Sequence, residues 1–129
     1  MKRHARVLML CGAFFGFSGV ALGAFGAHGL RRILSPDMIA LFETAVRYQL
    51  YHTFAIFISA FLAERPERRY ASYSGAAFIA GILLFSGSLY ALALSGVPML
   101  GMITPLGGIA FLVGWIFLFL AAFKMHQEN

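Results

Sequence analysis

The sequence predicts an all-α integral membrane protein: an up-down four-helix transmembrane bundle, one membrane domain over residues 1–129, with both termini cytoplasmic. Three observations carry that prediction. Of the 129 residues, 60% are hydrophobic, against about 45–50% in an ordinary soluble domain. From Tyr70 through Phe123, 54 consecutive residues include no Asp, Glu, Lys, Arg or His, whereas one spanning helix needs about 20 residues. The ten Lys and Arg residues sit beside apolar segments and form no patch on a polar surface. The net charge of +5 therefore points to orientation in a bilayer and not to nucleic acid.

The first expected helix is Val7–Ala27. Its uncharged run follows Met1-Lys2-Arg3-His4-Ala5-Arg6 and is 21 residues long, longer than the roughly 7–15 residues of a signal-peptide core. A retained first span is the preferred reading over a cleaved leader. Gly12, Gly16, Gly19, Gly23 and Gly26 are spaced four, three, four and three residues apart, and at 100° per residue they fall within about 80° of arc. Such a seam lets another backbone approach closely, either within one chain or between protomers. Gly29 can end the helix. Cys11 is the only cysteine, so the chain has no disulfide framework and no CxxC redox or zinc motif.

The second expected helix, Met38–Ala63, opens on Ser35-Pro36-Asp37: a capping hydroxyl, a proline at the first position and an acid at the positive dipole end. The third, Tyr70–Ser95, enters the interface with Tyr70 and Tyr73 and stops at Ser95-Gly96-Val97-Pro98. The fourth, Thr104–Phe123, starts at Thr104-Pro105 and carries a weaker small-residue face of Gly107, Ala110, Gly114 and Ala121. Trp115 falls at mid-span, where its N–H needs a partner inside the bundle. Ser86, Ser88 and Tyr90 are candidates, although the two serines are expected to bond their own helix backbone. Short connections make neighbouring helices antiparallel. Lys2, Arg3, Arg6, Arg65, Arg68, Arg69 and Lys124 then share one side against Arg31 and Arg32 on the other, and the positive-inside rule assigns the richer side to the cytoplasm.

The polar cluster lies in the second helix. Glu43, Arg47 and Tyr51 form one strip and Thr44, Tyr48 and His52 the next, with Phe42, Val46, Leu50 and Phe57 on the apolar side. Charges at hydrocarbon depth cost about 2.5–3.5 kcal/mol each on insertion scales unless they pair or line water. Glu43 stands four residues before Arg47, the favourable order for an intrahelical ion pair. His52 lies about 13 Å further along the axis than Glu43 and reads either as a neutral imidazole bonded to Tyr48 or a serine, or as a proton-accepting or headgroup-binding group. His28, Glu43, Arg47, Tyr48, Tyr51 and His52 are the candidate ligand-binding set. No metal is expected, since only His28 and His52 come near the membrane segments without further ligands. No GxSxG, HExxH or P-loop motif occurs, so no catalytic residue and no cofactor is assigned.

Four segments, Gly23-Ala24-Phe25-Gly26-Ala27-His28-Gly29-Leu30, Phe42 through His52, Phe85-Ser86-Gly87-Ser88-Leu89-Tyr90 and Thr104-Pro105-Leu106-Gly107-Gly108, resemble the small inner-membrane proteins grouped as domain of unknown function 423. Their eukaryotic relatives are called transmembrane protein 256. The resemblance covers nearly the whole chain except its polar tails. It implies a multi-pass protein of the bacterial inner membrane and supplies no catalytic assignment. Three functional readings follow: a non-enzymatic module packing with its own copies or with another membrane protein; a binder or conduit for a small amphiphile or proton through the helix-two cluster; and an enzyme on a lipid-like substrate with His52 or Glu43 as base. Membrane lipids are expected neighbours in each.

Overall fold

The computed structural model describes residues 1–65 and 68–127. Pro66 and Glu67, within the expected Glu64–Arg69 connection, lie outside the described residues, as do Glu128 and Asn129 of the C-terminal tail. The described chain is helical: α1 (Arg3–His28), a 3-10 turn (Leu30–Arg32), α2 (Pro36–Leu62), α3 (Arg68–Gly81), a π turn (Ile82–Ser86), α4 (Gly87–Ser95), a 3-10 turn (Pro98–Met102) and α5 (Thr104–Gln127). α3, the π turn and α4 run on as one rod, so four rods result. Three of them are long and apolar enough to cross a membrane: Arg3–Arg32, Arg69–Ser95 and Pro98–Met125. α2 is as long, at 27 residues, but carries the polar cluster.

Local chemistry sets the ends. Ser35 caps α2 by accepting from the Met38 amide at 3.3 Å, with Pro36 and Asp37 in the first turn. Gly96 ends α4 with φ of 70°, the left-handed conformation that costs glycine nothing, and its amide donates to Leu92 O at 2.8 Å. Gly29 takes the C-cap place of α1, but at φ −93° it stays right-handed and the chain winds on into the 3-10 turn.

The glycine seam of α1 lies along α2 in antiparallel order. A Cβ on Gly12 would meet Phe57 at 2.9 Å, on Gly16 Thr53 at 3.5 Å, on Gly19 Leu50 at 2.7 Å, on Gly23 Val46 at 3.2 Å and on Gly26 Phe42 at 2.9 Å. Phe42, Val46, Leu50 and Phe57 thus form the face of α2 that fills the groove left by absent side chains. A second close contact joins the last rod to the third. Gly114 faces Phe78 at 2.6 Å, Gly81 faces Phe111, and Gly107 lies against the Phe85 backbone, where a Cβ would come 2.6 Å from Cα. The π turn, absent from the expected uninterrupted Tyr70–Ser95 helix, bulges the backbone at the residue Gly107 receives.

α2 packs on α1 on one side and on α3, the π turn and α4 on the other, whereas α1 and α5 do not pack along one another among the described residues. The four rods therefore make two antiparallel hairpins joined through α2 and the third rod, more open than a ring-closed bundle. The core is divided in two. Leu30, Ile39, Phe42 and Ala93 cluster at one end, and Leu8, Phe15, Ile56, Phe78, Ile82 and Phe111 belong to a larger cluster towards the other. Lys2 ties the N-terminus to the α2–α3 connection: its backbone N–H donates to Glu64 Oε1 at 2.8 Å and its ammonium to Glu64 O at 2.7 Å. Lys124 stands 4.6 Å over the Tyr70 ring, so both ends of the chain lie at this end of the molecule.

The neighbours Gly107 and Gly108 give a paired prediction. No atom lies within 4 Å of a Cβ on Gly108, so Gly108→Ala should leave thermal stability in detergent unchanged or slightly raised. Gly107→Ala should lower it by about 1–3 kcal/mol, the usual cost of overpacking. Equal melting temperatures for the two variants would show that the Gly107–Phe85 contact is not close.

Candidate functional site

Between the two apolar clusters α2 carries a layer of buried polar side chains, and each has an identifiable partner. Gln49 is 3% exposed. Its amide nitrogen donates to Phe15 O and to Ser18 Oγ of α1, both at 2.9 Å, and its carbonyl accepts from the Tyr90 hydroxyl of α4 at 2.6 Å. Gln49 is absent from the candidate set read from the sequence, yet it joins three rods. The available signal was a primary amide on the Phe42–Val46–Thr53 side of α2, opposite the charged strip. Ser86, placed by the π turn, donates to Ala45 O at 2.7 Å. It therefore bonds across the helix interface, which corrects the sequence expectation of a bond to its own helix backbone. Ser88 does bond its own backbone, at Phe85 O, and also lies 2.6 Å from Thr104 Oγ1. Lower down, Ser59 Oγ lies 3.1 Å from Ser74 Oγ, which donates to Gly114 O at 2.9 Å.

His52 is buried on the same inward side. Its Nδ1 lies 2.7 Å from Tyr48 O and its Nε2 3.1 Å from Trp115 Nε1. An indole can only donate and a carbonyl can only accept, so the ring is the neutral tautomer with its proton on Nδ1. The Phe111 ring stacks on it with centroids 3.6 Å apart and planes 10° apart. The partner of Trp115 is thus His52 and not Ser86, Ser88 or Tyr90, and the Tyr48 group that His52 meets is the backbone carbonyl. The packing reason is that α5 crosses α2 at Phe111 and Trp115, while Ser86 and Tyr90 face Ala45 and Gln49.

The charged strip behaves differently. Glu43 does not pair with Arg47. Its Oε1 lies 3.2 Å from Arg31 Nη2, because the 3-10 turn after α1 carries Arg31 back over the start of α2. Arg47 donates instead to Thr44 Oγ1 at 3.2 Å. Arg47, Tyr48 and Tyr51 are exposed, so the polar half of α2 is divided: the His52 strip turns inward in its lower part and the Glu43–Arg47–Tyr51 strip faces outward. His28 ends α1, exposed and without a hydrogen bond among the described residues, and does not join this group.

Two grooves flank the outward strip. A groove of about 210 Å³ between α1 and α2 has Gly23, Gly26, Phe42 and Val46 as its floor, with Glu43 and Arg47 on its rim. Another of about 440 Å³ opens between α2 and α5 and is lined by Tyr48, Tyr51, His52, Phe111, Leu112 and Trp115. No set of three His, Cys, Asp or Glu side chains stands within reach of one metal ion among the described residues. The second groove can take an apolar chain. The first offers a cation beside an apolar floor.

His52→Phe keeps the stack on Phe111 but strands the indole N–H; it should cost about 1–3 kcal/mol and shift the emission of Trp115, the single tryptophan, to shorter wavelength. An unchanged spectrum would show that the indole is not bonded there. A double-mutant cycle on Arg31 and Glu43, each changed to Gln, should give a coupling below about 1 kcal/mol, as for other exposed pairs. The corresponding cycle on Glu43 and Arg47 should give none beyond error, and a larger coupling for the second cycle would refute the pairing.

The chain matches the family model described as "Protein of unknown function (DUF423)" over residues 22–108. It is 42% identical to the UPF0382 membrane protein YwdK of Bacillus subtilis, over 92% of this chain and 98% of that protein. It is 46% identical to a UPF0382 membrane protein of Haemophilus influenzae, over 87% and 90% of the two chains. With the UPF0382 inner membrane protein YgdD of Escherichia coli it shares 36% identity, over 97% and 95%. No solved structure matches the chain. The family match over more than half the chain and these near full-length relatives agree with the resemblance drawn from its four motifs: the chain belongs to the DUF423 family, whose curated members here are named UPF0382 membrane proteins.

Proposed function

We propose that the chain is a multi-pass protein of the bacterial inner membrane in which all four rods cross the bilayer with both termini cytoplasmic, and that it works as a non-enzymatic module holding a membrane partner against the outward face of α2. One relative is named an inner membrane protein, which supports the location. α2, at 27 residues, is about 40 Å long, enough to cross about 30 Å of hydrocarbon. Lys2 bonded to Glu64, and Lys124 over Tyr70, gather the richer basic set at one end, opposite Arg31 and Arg32; the positive-inside rule then favours a cytoplasmic assignment for that end.

The observation that carries the functional reading is the division of polar groups. Gln49 and His52 are satisfied inside the chain, which makes them structural. Arg47, Tyr48 and Tyr51 face outward, and Arg47, bonded only to the Thr44 hydroxyl among the described residues, lacks the counter-charge that an arginine in a spanning helix calls for and that a partner would supply. Catalysis is less well supported, because both nitrogens of His52 are engaged and Glu43 meets Arg31. The 440 Å³ aromatic groove beside α5 favours, as a second reading, binding of an amphiphile whose chain lies between Tyr51 and Leu112.

Reporter fusions test the topology: a cytoplasmic reporter should work at the C-terminus and a periplasmic one in the Pro98–Met102 turn, and the reverse pattern would overturn it. A photo-crosslinking residue at position 51 should give an adduct of discrete protein mass in living cells that Arg47→Gln suppresses, while position 17, on exposed Phe17, gives none. An adduct of lipid mass from position 51 would favour the second reading.

A further inference from the structure

Towards the end of the molecule that carries both termini, a groove of about 330 Å³ lies between α1 and α3, beside the contact of Leu8 with Gly75. Arg3 and His4 line it and are exposed, while Val7, Ala76 and Ile79 supply apolar walls. Ser72 lines it as well, and its hydroxyl is the one buried side-chain polar atom without a hydrogen-bond partner among the described residues. The neighbouring cation is already engaged, since Lys2 donates to Glu64 and Arg65. Arg3 has no carboxylate within ion-pair distance among the described residues.

We propose that this groove holds one anionic phospholipid of the adjoining leaflet, its phosphate against Arg3 and His4 and an acyl chain along Val7, Ala76 and Ile79. The inference rests on the bilayer reading above, and its residues are separate from the α2 face. Charge complementarity selects an anion, and the apolar walls select one that carries a hydrocarbon chain. Inorganic phosphate would meet the same two side chains but leave Val7, Ala76 and Ile79 uncovered. A ligand oxygen entering beside Ser72 would also give that hydroxyl its missing partner.

The test uses the full chain purified in detergent and exposed to phosphatidylglycerol, phosphatidylcholine or inorganic phosphate, with bound lipid counted by native mass spectrometry and stability by thermal melting. Phosphatidylglycerol should be retained and raise the melting temperature, and the other two should not. Arg3→Gln should reduce retention about fivefold, the worth of one basic residue near an anionic surface, while Arg6→Gln, the same charge change on the same turn but outside the groove, should stay within about twofold. Ala76→Phe, which fills the groove and leaves every charge in place, should also abolish retention. Equal losses for Arg3→Gln and Arg6→Gln, retention unaffected by Ala76→Phe, or protection by inorganic phosphate alone would each overturn the proposal. Extraction of the chain from native membranes by alkaline carbonate would overturn the bilayer reading with it, whereas a chain that stays in the membrane but shows no lipid preference overturns only the groove.

Discussion

Gln49 fixes the register of the molecule, because a primary amide surrounded by hydrocarbon must find partners for both its donors and its acceptor, and those partners come from two other rods. Sliding α1 by one turn would carry Phe15 O and Ser18 Oγ about 5 Å away, and sliding α4 would remove the Tyr90 hydroxyl. Apolar packing alone is forgiving about register. A buried amide with three bonds is not, and it stands between the two apolar clusters, where a shift of either hairpin would break it.

The glycines make that network reachable. Side chains of ordinary size on Gly16 and Gly19 would hold α1 away from α2, and the Gln49 amide would no longer reach Phe15 O. On the far side, Gly107 and Gly114 bring α5 close enough for Trp115 to reach His52. Small residues and polar residues thus act together: the first set the distance and the second choose one arrangement among those of similar packing. The π turn belongs to the same scheme. It presents Phe85 to Gly107 and turns Ser86 towards Ala45, so the third rod bonds both of its neighbours at one level.

What was legible in the sequence was what local chemistry decides. Ser35-Pro36-Asp37 and Ser95-Gly96-Val97-Pro98 mark helix ends in any context, and the four-three spacing of the α1 glycines defines a face without knowledge of its partner. Features decided by tertiary approach were not legible. Ile82-Leu83-Leu84-Phe85-Ser86 contains nothing that calls for a π turn; the close seat of Gly107 accompanies it. Glu43 has an apt intrahelical neighbour in Arg47, but the 3-10 turn brings Arg31 to it instead, and a spacing rule within one helix cannot anticipate a residue twelve positions earlier. Gln49 is not marked out by charge, as Arg47 is, yet a primary amide in an apolar interior must be matched no less strictly.

The open pairing of the rods also bears on how the chain is made. In the four-span arrangement proposed above, α2 would be the rod least suited to enter lipid on its own, since Glu43, Arg47, Gln49 and His52 all oppose partitioning. Its close companion, α1, precedes it in synthesis, while α5, which emerges last, touches it only at the His52 level. The hairpin of α1 and α2 can therefore cover Gln49 with Phe15 and Ser18 while the rest of the chain is still on the ribosome. The Gln49 nitrogen thus has its α1 partners from the start, whereas its carbonyl waits for Tyr90 and the His52 ring for Trp115 of the last rod.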